Sequence, residues 1–124
     1  MRIYVAHASS FNYQEELYEP LLSSSLAKKH ELILPHRDET KGHNSAEIIP
    51  TCDLIIAEVS YPSTGMGIEL GRGEAARVPI LAVAQREVKV SSAIGFVTQT
   101  IEFYTNPREL IDKLTTYIDH FHKD

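Results

Sequence analysis

The chain has 124 residues, with 17 acidic and 12 basic side chains for a formal net charge of −5. That sign is wrong for a protein that gains affinity by neutralising many phosphates, so long nucleic acids are excluded as expected partners while a single mononucleotide is not. The length fits one domain, 1–124, around a single core. Cys52, the single cysteine, has no partner for an intramolecular disulfide, no signal-like run opens the chain, and no apolar stretch nears the roughly 18 residues of a membrane helix, so a cytoplasmic protein without a membrane partner is expected.

In chain order, Ile3 to Ala6 is short and β-prone and runs into the Ser-rich loop HASSF, the pattern of a buried strand ending in a functional turn. Tyr13, Leu17, Leu21, Leu22 and Leu26 recur near helical spacing, and Pro20 removes a backbone donor among them, which predicts one bent helix. Glu31 to Leu34 reads as a second strand stopped by Pro35, followed by a long polar loop from His36 to Asn44. Ser45 to Thr51 reads as a short helix with Asn44 or Ser45 as its cap, and Asp53 to Val59 has the β-branched content of a central strand. After the turn SYPSTGMG come a helix from Ile68 to Arg77, a fourth strand from Pro79 to Ala84 and a fifth at 100–104. A last amphipathic helix runs from Pro107 to about Phe121, with Leu110, Ile111, Leu114, Tyr117, Ile118 and Phe121 on one face. Strands alternating with helices at this spacing predict an α/β fold, a three-layer Rossmann-like or flavodoxin-like sandwich with a five-stranded parallel sheet.

In such a sheet the ligand sits beyond the carboxyl ends of the strands. The densest loop there is VSYPSTGMGIELG, where Ser63, Thr64, Gly65 and Gly67 meet a helix start whose free N–H groups favour an anion. Glu69 is expected in the first turn of that helix, with its carboxylate toward the same mouth. An acidic residue at a helix start also complements the macrodipole for about 0.3–1 kcal/mol without any catalysis. The residues alone therefore leave Glu69 open between the two roles. Tyr4 is open in the same way, since alternation with Ile3 and Val5 on a buried strand equally describes core packing. His7 and His36 lie at strand ends near the mouth, where each could touch a ligand or simply face water. Glu58, ending the central strand, is either a supporting partner of the site or a satisfied polar residue. The six histidines show no ligand spacing, and neither a metal nor an organic cofactor is expected.

The stretch DLIIAEVSYPSTGMGIELG from Asp53 to Gly71, with IYVA at Ile3 to Ala6 and SSAIG at Ser91 to Gly95, resembles the nucleoside 2-deoxyribosyltransferase superfamily. It is most similar to the 2'-deoxynucleoside 5'-phosphate N-hydrolase branch and the related CMP hydrolases, because Ser63 stands six residues before Glu69, where transferases of unphosphorylated nucleosides tend to carry an acid. A carboxylate there would repel a 5'-phosphate, whereas a hydroxyl can donate to it. The resemblance implies hydrolysis of (deoxy)nucleoside 5'-monophosphates to free base and sugar phosphate. Glu69 would be the nucleophile, kept ionised by the helix N-terminus and a hydrogen bond from Tyr4.

It further implies substrate contacts from Ser63, Gly65, Gly67, Ser9, Ser10 and His7, and from Ser92 of a second subunit in a homodimer. Two departures stand out. The loop after the first strand lacks the arginine of related hydrolases, and Ser45, preceded by Asn44, stands where an acidic residue is expected, so the residue assisting the leaving base is unassigned. A deoxyribosyltransferase that exchanges bases and a non-catalytic nucleotide-binding module are the alternative readings.

Overall fold

A computed structural model describes residues 1–37 and 44–121. The predicted loop from His36 to Asn44 thus lies largely outside the described residues. The elements in order are β1 (Arg2–His7), α1 (Glu19–Ser23), α2 (Ser25–Lys29), β2 (Glu31–Ile33), α3 (Ser45–Ile48), β3 (Leu54–Glu58), α4 (Thr64–Ala75), β4 (Ile80–Gln85), β5 (Ile101–Tyr104) and α5 (Pro107–Asp119). All four strand pairings are parallel, and the five strands lie in the order β2-β1-β3-β4-β5. The chain therefore reverses its direction of travel across the sheet between β1 and β3, and at such a switch point the loops diverge and open a crevice.

Strand alternation divides the core in two. Ile3, Val5, Ile56, Leu81 and Val83 face α1, α2, α5 and the turn before α1, where Leu17, Leu21, Leu26, Leu110, Leu114 and Ile118 cover them. Tyr4, Ala6, Ile55, Ala57 and Ala82 face α4 and the 3-10 turn Ile49–Thr51 after α3, against Ile49, Met66 and Leu70. The expected three-layer architecture is present, with β1, β3 and β4 buried almost throughout. Each fully buried Leu or Ile contributes about 1.5–3 kcal/mol relative to exposure. α4 lies close to the sheet at Gly73, where a Cβ would stand 2.3 Å from Ile55 Cδ1.

The bent helix predicted after β1 is present over Gln14–Ser23 with a widened turn before Pro20, and it is broken once, at Ser24. Pro20 has no N–H to donate, and the turn before it widens to a π-type turn over Gln14–Tyr18 in which the Glu19 N–H reaches Gln14 O. Ser24 then leaves helical geometry at φ −90° and ψ 166°. Its hydroxyl donates to Leu21 O at 2.7 Å and accepts from Leu26 N at 3.2 Å, ending α1 and capping α2. α4 begins at Thr64, four residues before the predicted start, because Ser63 caps it by accepting from Met66 N at 3.3 Å. This cap outweighs the poor helix propensity of Gly65 and Gly67. The far end of α4 closes with Val78 N–H on Gly73 O at 2.9 Å and Arg77 N–H on Glu74 O at 3.0 Å, which puts Arg77 in the left-handed region at φ 60°.

Candidate active site

At the β1/β3 switch a cleft of about 460 Å³ is lined by residues of both strand ends and of α4, among them Ser9, Ser45, Ser63, Gly65, Glu69 and Arg72. A larger depression of about 950 Å³ runs along α5 past Tyr117 and Phe121, away from the strand ends. Its lysine, Lys113, is already engaged, donating to Phe103 O and lying near Glu102 and Glu109. The smaller cleft is where buried titratable groups converge.

Tyr4 enters from β1 and is 2% exposed. Its hydroxyl donates to Glu69 Oε2. The register of β1 on β3 sets this contact, because Tyr4 points to the face on which α4 lies. Glu69 stands in the second turn of α4, which corrects its expected place in the first turn. The helix terminus therefore acts on it only weakly, since that effect fades beyond the first turn. The carboxyl is pushed above its ordinary range by burial, while the Tyr4 hydroxyl and the nearby Arg72 charge pull the other way. The expectation that its surroundings simply favour the anion is thereby corrected: desolvation is the largest influence. Burial and the Glu69 charge together raise the Tyr4 phenol, which remains a donor.

Ser63 lines the cleft as the cap of α4. Its oxygen accepts from Met66, which leaves its O–H free to donate to a ligand. The N–H groups of Thr64 and Gly65, at the head of the same helix, have no intrahelical acceptor. Gly65 lines the cleft, and an added Cβ there would stand 3.9 Å from Ser63 Oγ. Gly67 instead lines an adjoining hollow of about 360 Å³, together with Ser63, Lys89 and Ser91. Ser9 lines the cleft and Ser10 does not. Ser92 also lies outside it, on an exposed 3-10 turn, Ser92–Phe96.

His7 reaches the cleft, but its polar atoms are committed. Nδ1 lies 2.7 Å from Ala8 O and so carries the proton, and Nε2 accepts from the Tyr18 hydroxyl at 2.6 Å. Tyr18 in turn accepts the His36 N–H at 3.1 Å. Burial lowers the His7 pKa to about 4, with His36 adding to the effect and the Ala8 carbonyl opposing it. His7 thus lines the cleft as expected, with its two ring nitrogens tying the end of β1 to the turn before α1. It belongs to an aromatic group with Phe11, Tyr13, Tyr18 and His36, and Tyr61 stacks on Phe11 at 5.1 Å between ring centroids.

Glu58 is hydrogen-bonded on both carboxyl oxygens. Fully buried at the end of β3, it accepts Ser60 N–H at 2.6 Å, the Ser60 hydroxyl at 3.0 Å and the Tyr104 hydroxyl. Ser60 Oγ also accepts Gln85 N–H at 2.8 Å. Burial raises the Glu58 carboxyl against these donors. The network fixes the start of the loop that delivers Ser63.

Sequence reasoning passed over Arg72. It follows Glu69 by three positions, which places both on one face of a helix, and that spacing was the available signal. Arg72 Nη1 donates to Ser45 Oγ at the start of α3, bridging the two walls of the cleft. The aromatic group around His7 carried no comparable signal, because Phe11 and Tyr13 follow β1 while Tyr61 follows β3, fifty residues away in a separate segment.

No protein-family model matches the chain. It is 38% identical over 47 residues to a Methanosarcina mazei protein named "Putative 2'-deoxynucleoside 5'-phosphate N-hydrolase 1", a match spanning 38% of this chain and 29% of that protein. Among solved structures, Clostridium botulinum CMP N-glycosidase is similar with a TM-score of 0.72 at 22% identity, covering 94% of this chain and 99% of its own. A Leishmania mexicana 2-desoxiribosyltransferase is similar with a TM-score of 0.67 at 16% identity, over 98% of this chain and 99% of its own. The fold is shared along nearly the whole length of each.

Proposed function

We propose that this chain, which has the fold of the nucleoside 2-deoxyribosyltransferase superfamily, is an N-glycosidase of (deoxy)nucleoside 5'-monophosphates that uses Glu69 as its nucleophile. The observation carrying this reading is the Tyr4–Glu69 pair, a half-buried carboxylate held by a phenol inside a cleft at the sheet's switch point. Glu69 attacks C1' as the C1'–N bond breaks, through an oxocarbenium-like state, and water then opens the glycosyl ester to release the sugar. Burial makes the carboxylate a stronger nucleophile once ionised, and Tyr4 and Arg72 keep ionisation within reach.

The 5'-phosphate is assigned to the Ser63 hydroxyl, the Thr64 and Gly65 amides and Ser9. Charge-assisted hydrogen bonds of about 1.5–3 kcal/mol each from such donors suffice for the ~8 kcal/mol of micromolar binding. Ser92 is assigned to the same phosphate from a second subunit of a homodimer. Its exposure outside its own chain's cleft supports this, as do the exposed apolar side chains of Ile68 at the cleft (51%) and Phe96 beside Ser92 (84%).

The test is a chromatographic screen for free base after incubating the protein with nucleosides and 5'-monophosphates, with Glu69→Ala as control. Release from monophosphates that is lost in the variant supports the reading. Unchanged release in Glu69→Ala refutes it. Release that needs an added acceptor base would identify a transferase, and tight binding without release would identify a nucleotide-sensing module.

A further inference from the structure

We infer that Arg72, held by Ser45, is the residue that assists the leaving base, and that it does so by stabilising the departing base as an anion and not by protonating it. The inference rests on the glycosidase reading of the cleft. Cleavage of the C1'–N bond leaves an electron pair on the base nitrogen, and that charge must be neutralised by a proton or met by a positive group. Among the described residues lining the cleft, Glu69 is the only carboxyl group and is already committed as nucleophile. His7 is neutral and its Nδ1 proton is held by Ala8 O; His36, the other histidine lining the cleft, lies against the rings of His7 and Tyr13, and a proton supplied from it would appear as the falling limb tested below. Arg72 is the only arginine or lysine among those lining residues, and it lies on the same helix face as the nucleophile, one turn further on.

A guanidinium offers five donors in a rigid fork and no transferable proton at neutral pH. One donor of Arg72 is spent on Ser45 Oγ, which anchors the fork across the cleft and leaves the others for a ligand. The fitting partner is an acceptor atom next to the glycosidic nitrogen, O2 of a pyrimidine or N3 of a purine, over which the developing negative charge delocalises. In the balanced first step a Glu69 oxygen bonds to C1', the C1'–N pair passes to the base, and the base anion leaves against Arg72 and takes its proton from water. Ser45 is a positioning residue that acts through Arg72.

The test compares wild type, Arg72→Ala, Arg72→Lys and Ser45→Ala on 5'-monophosphate pairs differing in the acidity of the departing base, uracil against 5-fluorouracil and adenine against 6-chloropurine. Loss of one preorganised charge donor of this kind costs about 10²–10³-fold in kcat. Arg72→Ala is expected to lose that much on uracil or adenine and much less on the more acidic partner. Arg72→Lys should recover part of the loss, Ser45→Ala should show a weaker version of the same leaving-group dependence, and wild-type kcat should have no falling limb between pH 7 and 9. Equal losses on both members of a pair, or a wild-type falling limb that marks a titrating acid, would overturn the inference while leaving the glycosidase reading intact. Absence of base release by wild type from all four substrates would overturn both.

Discussion

The Tyr4 hydroxyl on β1 donates to Glu69 in the second turn of α4, joining residues 65 positions apart across the β1/β3 switch. Removing that donor should change both the rate and its pH dependence. Hydrogen bonds to charged groups are worth about 1.5–3 kcal/mol, so Tyr4→Phe should lower kcat by about 10- to 100-fold. Without the donor the Glu69 pKa rises further, and the acid limb of the pH–rate profile moves to higher pH. A slower enzyme with an unmoved acid limb would mean that Tyr4 acts by packing alone.

Glu69 should cost the fold stability at neutral pH. Its folded-state pKa lies above the unfolded value of 4.5, so between the two the native state holds more protons and stability falls as pH rises. Above the raised value the cost is complete, and below 4.5 it is absent. Glu69→Gln should therefore melt higher than wild type at pH 7.5 while losing activity, with the gain shrinking toward pH 4 in thermal melts followed by circular dichroism. A variant that melts lower at pH 7.5 would show that the ionised carboxylate stabilises the protein.

His7 carries the opposite sign. With its pKa lowered from 6.5 to about 4, the unfolded chain binds the proton more readily in that window. Stability is then fully present above 6.5 and is lost as pH falls through the interval. At 1.36 kcal/mol per unit the full effect is about 3 kcal/mol. Urea unfolding of His7→Gln should show a much shallower loss between pH 6.5 and 4 than wild type, and an unchanged slope would assign that loss to other groups.

Arg77 occupies a left-handed cap position that costs a side-chain-bearing residue about 1 kcal/mol. Arg77→Gly should raise the urea midpoint by a corresponding amount and leave base release unchanged, because the residue does not line the cleft. A lower midpoint would show that the arginine side chain contributes more than its backbone geometry costs.

The strands, their parallel sheet and the layers were legible because they follow from patterns local in sequence, whereas the order β2-β1-β3-β4-β5 was not, since it depends on which strands the crossovers bring together. β1, β3 and β4 are almost fully buried, and their continuous β-branched and apolar runs have no competing reading. Helix boundaries were less legible. The start of α4 depends on whether the Ser63 cap outweighs two glycines, and the widened turn over Gln14–Tyr18 and the break at Ser24 depend on single hydrogen bonds that spacing does not reveal.

At the site, the Tyr4–Glu69 pairing was legible only through the family pattern, because strand alternation gives Tyr4 an equally good reason to be core. The commitment of His7 to Ala8 and Tyr18 could not be read at all, since Tyr18 reaches it from the widened turn before α1. Arg72 was legible in principle from its spacing to Glu69, while its contact with Ser45 required the packing of α3 against α4.

The claim on which the rest depends is a covalent sugar on one carboxylate. Rapid acid quench of the protein during turnover of a 5'-monophosphate, followed by peptide mass spectrometry, should find the mass of the sugar phosphate on the peptide containing Glu69, absent in Glu69→Ala. Base release by wild type with the adduct on another residue, or with no adduct at any quench time while Glu69→Ala still turns over, would contradict the account.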